Sequence, residues 1–163
     1  MTTGFFSIGI ENIKTTTNYG TLFRTAYIYG ASSVFVTGHR FKKQSSDTSK
    51  SYKNIPTYVY DDFEQLYENL PYGCQLIGVE LTDQSTPLKE FKHPKQAMYI
   101  LGAEDIGLSK QAISKCHHLV QLPGNHSVNV AVAGSLVLYD RIVKNNTDSY
   151  TKEFNTLYRK QMI

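Results

Sequence analysis

Apolar residues occur along this chain in short runs separated by stretches with helical spacing. "FFSIGI" (5–10) and "SVFVTG" (33–38) have the length and the β-branched or aromatic content of buried strands. Between them Leu22, Phe23, Ala26, Tyr27 and Tyr29 recur at three- and four-residue intervals, which predicts a helix with Asn18 as its cap. "TYVY" (57–60) reads as a further strand, and "DDFEQLYENL" (61–70) as a helix that opens on acids and carries Phe63, Leu66, Tyr67 and Leu70 on one face. "CQLIGVEL" (74–81), "AMYILG" (97–102) and "HLVQL" (118–122) are predicted strands, with "LSKQAISKC" (108–116) a short helix between the last two. A long apolar helix is expected from about Ser127 to Val143, and "TKEFNTLYRKQMI" (151–163) has helical spacing suited to packing on the body or on a second subunit.

Strands alternating with helix-length connections predict an α/β fold, a mostly parallel sheet flanked by helices. Such sheets place ligands beyond the carboxyl ends of their strands, so chemistry is sought in the residues that follow each strand. With 163 residues the chain is long enough to bury one core without a disulfide or a metal, read as one domain over 1–145 with a helical extension of it over 146–163.

Composition narrows this picture only slightly. No apolar run approaches the roughly 18 to 20 residues of a membrane span, and the start "MTTGFFS" lacks a basic leader, so a cytoplasmic, membrane-free protein is expected. Cys74 and Cys116 have no C-x-x-C spacing and are expected to stay reduced. A net charge of +3 permits a nucleic-acid partner without demanding one. The one basic concentration is "HRFKKQSSDTSKSYK" (39–53), where Arg40, Lys42, Lys43, Lys50 and Lys53 are interleaved with Phe41 and Tyr52; it reads either as a track for a phosphate backbone or as a solvated Ser-rich loop.

Three stretches carry candidate chemistry. After "YIL" comes "GAEDIG", from Gly102 to Gly107, which resembles a dinucleotide turn with Glu104 where pyrophosphate would lie; it disfavours a dinucleotide and tolerates a cationic ligand. After "HLVQL" a Pro123-Gly124 turn leads into Asn125, His126, Ser127 and Asn129, more polar groups than one helix start needs. His126 there suits either a contact with ligand or a solvent-facing position. Arg24, six residues beyond Asn18, is displaced from it by about 240° on a helical wheel, and is either a surface residue or a placed guanidinium. Cys116, His117 and His118 look superficially like metal ligands, but neighbours entering a strand point to opposite faces, and no metal site is expected. Asp83 reads as a turn residue.

Taken in order, Asn18, Gly20 and Arg24, then Gly102, Glu104 and Gly107, then Ser127, Asn129 and the small-residue run Val130–Ala133 resemble the three motifs of the SpoU/TrmH branch of the SPOUT RNA methyltransferases, over residues 5–143. The resemblance implies a C-terminal trefoil knot, which periodicity alone would not suggest because chains rarely thread loops. It further implies S-adenosylmethionine (SAM) as cofactor, a homodimer, and methylation of a ribose 2′-hydroxyl of RNA, with tRNA favoured over rRNA. Arg24, Asn18, Glu104, Ser127 and Asn129 become the catalytic candidates. Leu81, Gly102, Ala103, Gly107, Leu122, Pro123, Ser127 and Val128 become the cofactor-binding candidates, and the basic residues of 39–53 the RNA grip. Arg24 is assigned to the hydroxyl either as its base or as an anchor for the neighbouring phosphate, with one subunit's Arg24 completing the other's pocket. The alternatives are a knotted RNA-binding or assembly factor without catalysis and, on the α/β pattern and "GAEDIG" alone, a nucleotide-binding oxidoreductase, which Glu104 discourages.

Overall fold

The computed structural model describes residues 4–38 and 54–145. The basic stretch 39–53 and the C-terminal segment 146–163 lie outside the described residues, and with them the expected RNA grip and the expected final helix. Among the described residues seven strands form one sheet: β1 (Phe6–Glu11), β2 (Ser33–Thr37), β3 (Thr57–Tyr60), β4 (Gln75–Val79), β5 (Thr86–Pro87), β6 (Ala97–Leu101) and β7 (His118–Gln121). Their order is β3-β2-β1-β6-β4-β7-β5, and every pairing between them is parallel. Among the described residues four helices cover it: α1 (Thr16–Ile28), α2 (Phe63–Glu68), α3 (Lys110–Lys115) and α4 (Val130–Asn145).

Strand alternation divides the core. Phe6, Ile8, Ile10, Val34, Val36, Tyr99 and Leu101 face one side, where Leu22, Phe23 and Ala26 of α1 and Val137 and Leu138 of α4 cover them. Phe35, Leu76, Met98 and Ile100 face the other, against Phe63 and Leu66 of α2 and Ala112 of α3. Burial on both faces explains why the strands read as continuous apolar runs. Gly9 has no side chain because the Phe35 ring and carbonyl fill its place, with a Cβ there only 2.2 Å from the Phe35 oxygen.

The strand and helix alternation is as expected, with three corrections. The sequence reading missed β5, whose two residues, one a proline, pair with Val120 and Gln121. α1 starts at Thr16 and not at Asn18, so Asn18 lies in its first turn and is no cap. α4 starts at Val130, later than the expected Ser127, because Asn129 is the residue whose side-chain oxygen receives the free amides of Ala131 (2.9 Å) and Val132 (3.3 Å).

Beneath the sheet, α4 is fastened to the segment before β6. Arg141, 1% exposed, donates to the carbonyls of Pro94 (2.6 Å) and Lys95 (3.0 Å) and to the Tyr99 hydroxyl (3.1 Å). Lys144 donates to the carbonyls of Leu88, Lys89 and Phe91 and pairs with Asp140. Buried His93 bridges Tyr99 and Asp140.

Candidate active site

The carboxyl ends of β4, β6 and β7 open onto a cleft of about 710 Å³. Three loops wall it, following β4, β6 and β7. Among the cofactor candidates, Leu81, Gly102, Ala103, Gly107, Leu122, Ser127 and Val128 all line it, as does His126; Pro123 sits exposed in the turn outside the lining. Leu81, Ile106 and Val128 keep apolar side chains exposed at the opening, a feature that asks for a covering ligand.

The loop after β6 doubles back on itself. Gly107 donates its amide to the carbonyl of Ala103 at 2.8 Å, and Gly102 lies so close beneath that a Cβ there would stand 2.0 Å from the Gly107 carbonyl carbon. Gly107 itself has a φ of +66°, a conformation that L side chains rarely adopt. These two glycines make the loop tight enough to project Glu104 from its tip.

At that tip residues far apart in sequence converge. Glu104 Oε1 accepts from the Asn129 side-chain amide at 2.9 Å and from the Asn18 side-chain amide, and Asn129 also donates to Asn18 Oδ1 at 3.2 Å. Asn129 therefore serves two purposes, its oxygen capping α4 and its nitrogen joining the cluster. Asn18 can reach Glu104 because it is not spent on capping α1. Ser127, exposed ahead of α4, lines the cleft without sharing in this cluster.

Arg24 stands apart. It is exposed on α1, does not line the cleft, and lies three and four residues before the exposed Tyr27 and Ile28, hence on their face of the helix. A neighbouring apolar row on α4, Val132, Leu136, Tyr139 and Val143, is exposed too.

Sequence reading overlooked two carboxylates at strand ends. Glu80, just after β4, lines the cleft and accepts the amides of Leu81 (3.0 Å) and Leu108 (2.8 Å). Glu11, the last residue of β1, accepts the amide of Ser109 at 2.8 Å. The available signal was a charged residue closing an otherwise apolar strand.

Elsewhere the candidate nucleophiles and ligands have structural roles. Burial pushes the Cys116 thiol up to about 12 and Cys74 up to about 11, so neither supplies a thiolate near neutral pH. His117 accepts the Leu76 amide, and His118 pairs with Gln75. Asp83 is exposed in the turn between β4 and β5. Among the described residues no helix is long and apolar enough to cross a membrane.

Comparison with known proteins agrees with this architecture. The model of the SpoU rRNA Methylase family matches residues 6–139. The chain is 28% identical over 134 residues to the mouse tRNA (guanosine(18)-2′-O)-methyltransferase TARBP1, spanning 76% of this chain and 8% of that protein. The crystal structure of the SpoU methyltransferase AviRb from Streptomyces viridochromogenes in complex with AdoMet superposes with a TM-score of 0.77 at 19% identity, covering 87% of this chain and 58% of that one. The A. aeolicus TrmH/SpoU tRNA modifying enzyme superposes with a TM-score of 0.74 at 20% identity, covering 94% of this chain and 86% of that one. With its family model matched from β1 into α4, and with all three motif regions inside the match, the chain belongs to the SpoU rRNA methylase family.

Proposed function

We propose that this protein is a SAM-dependent RNA methyltransferase acting on a ribose 2′-hydroxyl, with tRNA as substrate and a homodimer as its working form. The observation that carries the reading is the convergence of Asn18, Glu104 and Asn129 at the rim of the cleft. Family membership and the tRNA enzymes among the relatives support it.

The cleft suits the cofactor. Its volume lies within the range of small-molecule sites. Leu81, Ile106 and Val128 offer apolar walls to a flat ring. Glu104 and Asp105 line it with, among the described residues, no Lys or Arg, which favours a sulfonium cation. SAM supplies, when bound, an electrophilic methyl group. The chain's own residues must hold the ribose hydroxyl in line with that group and favour the loss of its proton. Glu104 is fixed for this by its two amide partners. Arg24 presents a planar guanidinium with five N–H donors and no acceptor, so it anchors the adjacent phosphate and stabilises the developing alkoxide instead of acting as a base.

A second copy seated on the α1–α4 face would cover Tyr27, Ile28, Val132, Leu136, Tyr139 and Val143 and would receive Arg24 from the same face. The strand order supports the trefoil knot: β7 lies between β4 and β5, so the connection 80–85 has to bridge it. Tritiated SAM with tRNA and rRNA transcripts, followed by mapping of ribose methylation, tests the reading. Transfer to tRNA 2′-hydroxyls is expected. RNA binding with no SAM binding by calorimetry would replace it with a non-catalytic role.

A further inference from the structure

β6 delivers the chain into the loop that carries Glu104, and its two neighbours in the sheet are β1 and β4. β1 ends in Glu11 and β4 is followed directly by Glu80, and the alternation of each strand puts the two glutamates on the same face of the sheet. Glu11 shares the parity of Ser7 and Gly9 along β1, and Glu80 that of Leu76 and Gly78 along β4. Both reach the exit of the loop that follows β6, and they take successive amides. Glu80 Oε2 accepts Leu108 N–H at 2.8 Å, and Glu11 Oε2 accepts Ser109 N–H at 2.8 Å. These amides come just as the chain leaves the loop, where Ser109 caps α3 by accepting from Ala112. Neither amide has a partner along a strand or within α3, so each needs an acceptor from outside. Glu11 is only 3% exposed, and its carboxylate leaves water in order to provide one.

The geometry points to Glu11 and Glu80 as a pair of positioning residues that grip the base of the 102–109 loop from both sides and thereby hold Glu104 against Asn18 and Asn129. The idea rests on the methyltransferase reading for its kinetic consequence but not for its structural one. The loop closes on itself through Ala103 and Gly107, and its exit runs through Leu108 and Ser109. Fixing two successive amides there fixes the direction in which Glu104 projects. Glu80 leaves no room for drift, because a Cβ on Gly107 would already stand 2.7 Å from its Oε2.

The two acids differ in a way that makes the pair testable. Glu80 uses both oxygens, one on Leu81 and one on Leu108, so E80Q must turn an NH2 group toward one amide. Glu11 holds Ser109 with one oxygen, so E11Q keeps an acceptor that E11A lacks. In the ligand-free protein, hydrogen exchange of the Leu108 amide should accelerate at least tenfold in E80Q, and that of Ser109 in E11A but not in E11Q. With SAM and RNA, kcat should fall about tenfold in E80Q and E11A at unchanged KM for RNA, E11Q should rescue what E11A loses, and E80Q should cost nothing further in an E104A background. E80Q should weaken SAM and S-adenosylhomocysteine by the same factor. Wild-type exchange at Leu108 and Ser109 in the variants would overturn the inference. So would a greater loss for SAM than for its uncharged-sulfur product, which would make Glu80 a direct cation contact, or an E11Q as impaired as E11A. Wild-type protein that neither binds SAM nor transfers methyl would sink the proposed function instead, while the exchange measurement still decides on the grip.

Discussion

Asn129 performs two tasks with the two ends of one amide, and they can be separated. Its oxygen caps α4, and its nitrogen donates to Glu104 and Asn18. Asn129→Asp keeps the capping oxygen, since Asp and Asn are equivalent caps, but places a second carboxylate against Glu104. We expect its melting temperature to stay within a few degrees of wild type while methyl transfer falls about 100-fold, the scale of a misplaced reacting group. A variant that unfolds early, or one with full activity, would refute this division. Gly102→Ala has no such selectivity. Its Cβ would meet backbone at 2.0 and 2.1 Å, so the loop must open, and calorimetry should show SAM affinity lost by more than tenfold, about 1.4 kcal/mol. At this scale the sequence already held the site's members, since Asn18, Glu104 and Asn129 stood in recognisable motifs. It could not show which of Asn125, Ser127 and Asn129 would cap α4. All can accept an amide, and the choice is made by contacts with residues 25 and 111 positions away.

Among the elements, α4 depends on contacts that no periodicity announced. Its inward side follows the expected small-residue pattern, with Gly134 set against Leu22 and Ile8. Its far end, however, depends on Arg141, Lys144 and buried His93, whose partners are mostly backbone carbonyls of 88–95 and so leave no trace in residue type. β5 was illegible for a similar reason, being defined only by its pairing with β7. The fastening of α4 predicts a pH dependence. Around His93 stand Tyr99, Phe91, Asp140, Arg141 and Lys144. Burial lowers its pKa below the ordinary 6.5, outweighing the Asp140 carboxylate that acts in the opposite direction. The unfolded chain therefore binds this proton more readily than the folded one, so His93's contribution is complete above pH 6.5 and shrinks as pH falls below it. Urea unfolding at stepped pH should show a loss of up to about 1.4 kcal/mol per unit in that range. In His93→Gln that part of the slope should vanish, whatever the variant's absolute stability. A slope unchanged by the substitution would assign the acid sensitivity to other groups.

For the whole molecule the proposed function requires Arg24, a residue outside the cleft, to reach its chemistry. Arg24 lies on the outer face of α1, while Glu104 lies at the cleft, and within one chain Asn18 faces the site where Arg24 does not. The sequence already contained this conflict, because six residues on a helix turn the two side chains about 240° apart. What it could not show was the exposed apolar row on α4 that accompanies Arg24 on the surface, nor that α1 and α4 pack side by side to form one face. In the proposed homodimer a second copy would resolve the conflict by carrying its own Arg24 to the first copy's cleft. Leu136→Glu should then yield monomers by sedimentation, with SAM binding kept and methyl transfer lost. Mixing provides the stricter test. Arg24→Ala leaves a sound cleft without its guanidinium, and Gly102→Ala leaves a sound Arg24 beside a ruined cleft, so each homodimer should be inactive. After the two proteins are exchanged in equal amounts, half of the dimers are mixed, and each mixed dimer pairs one intact cleft with one intact Arg24. If Arg24 acts across the interface, activity should return to about a quarter of wild type per subunit, as isologous symmetry requires. If it acts within its own chain, the mixture stays as inactive as its parents.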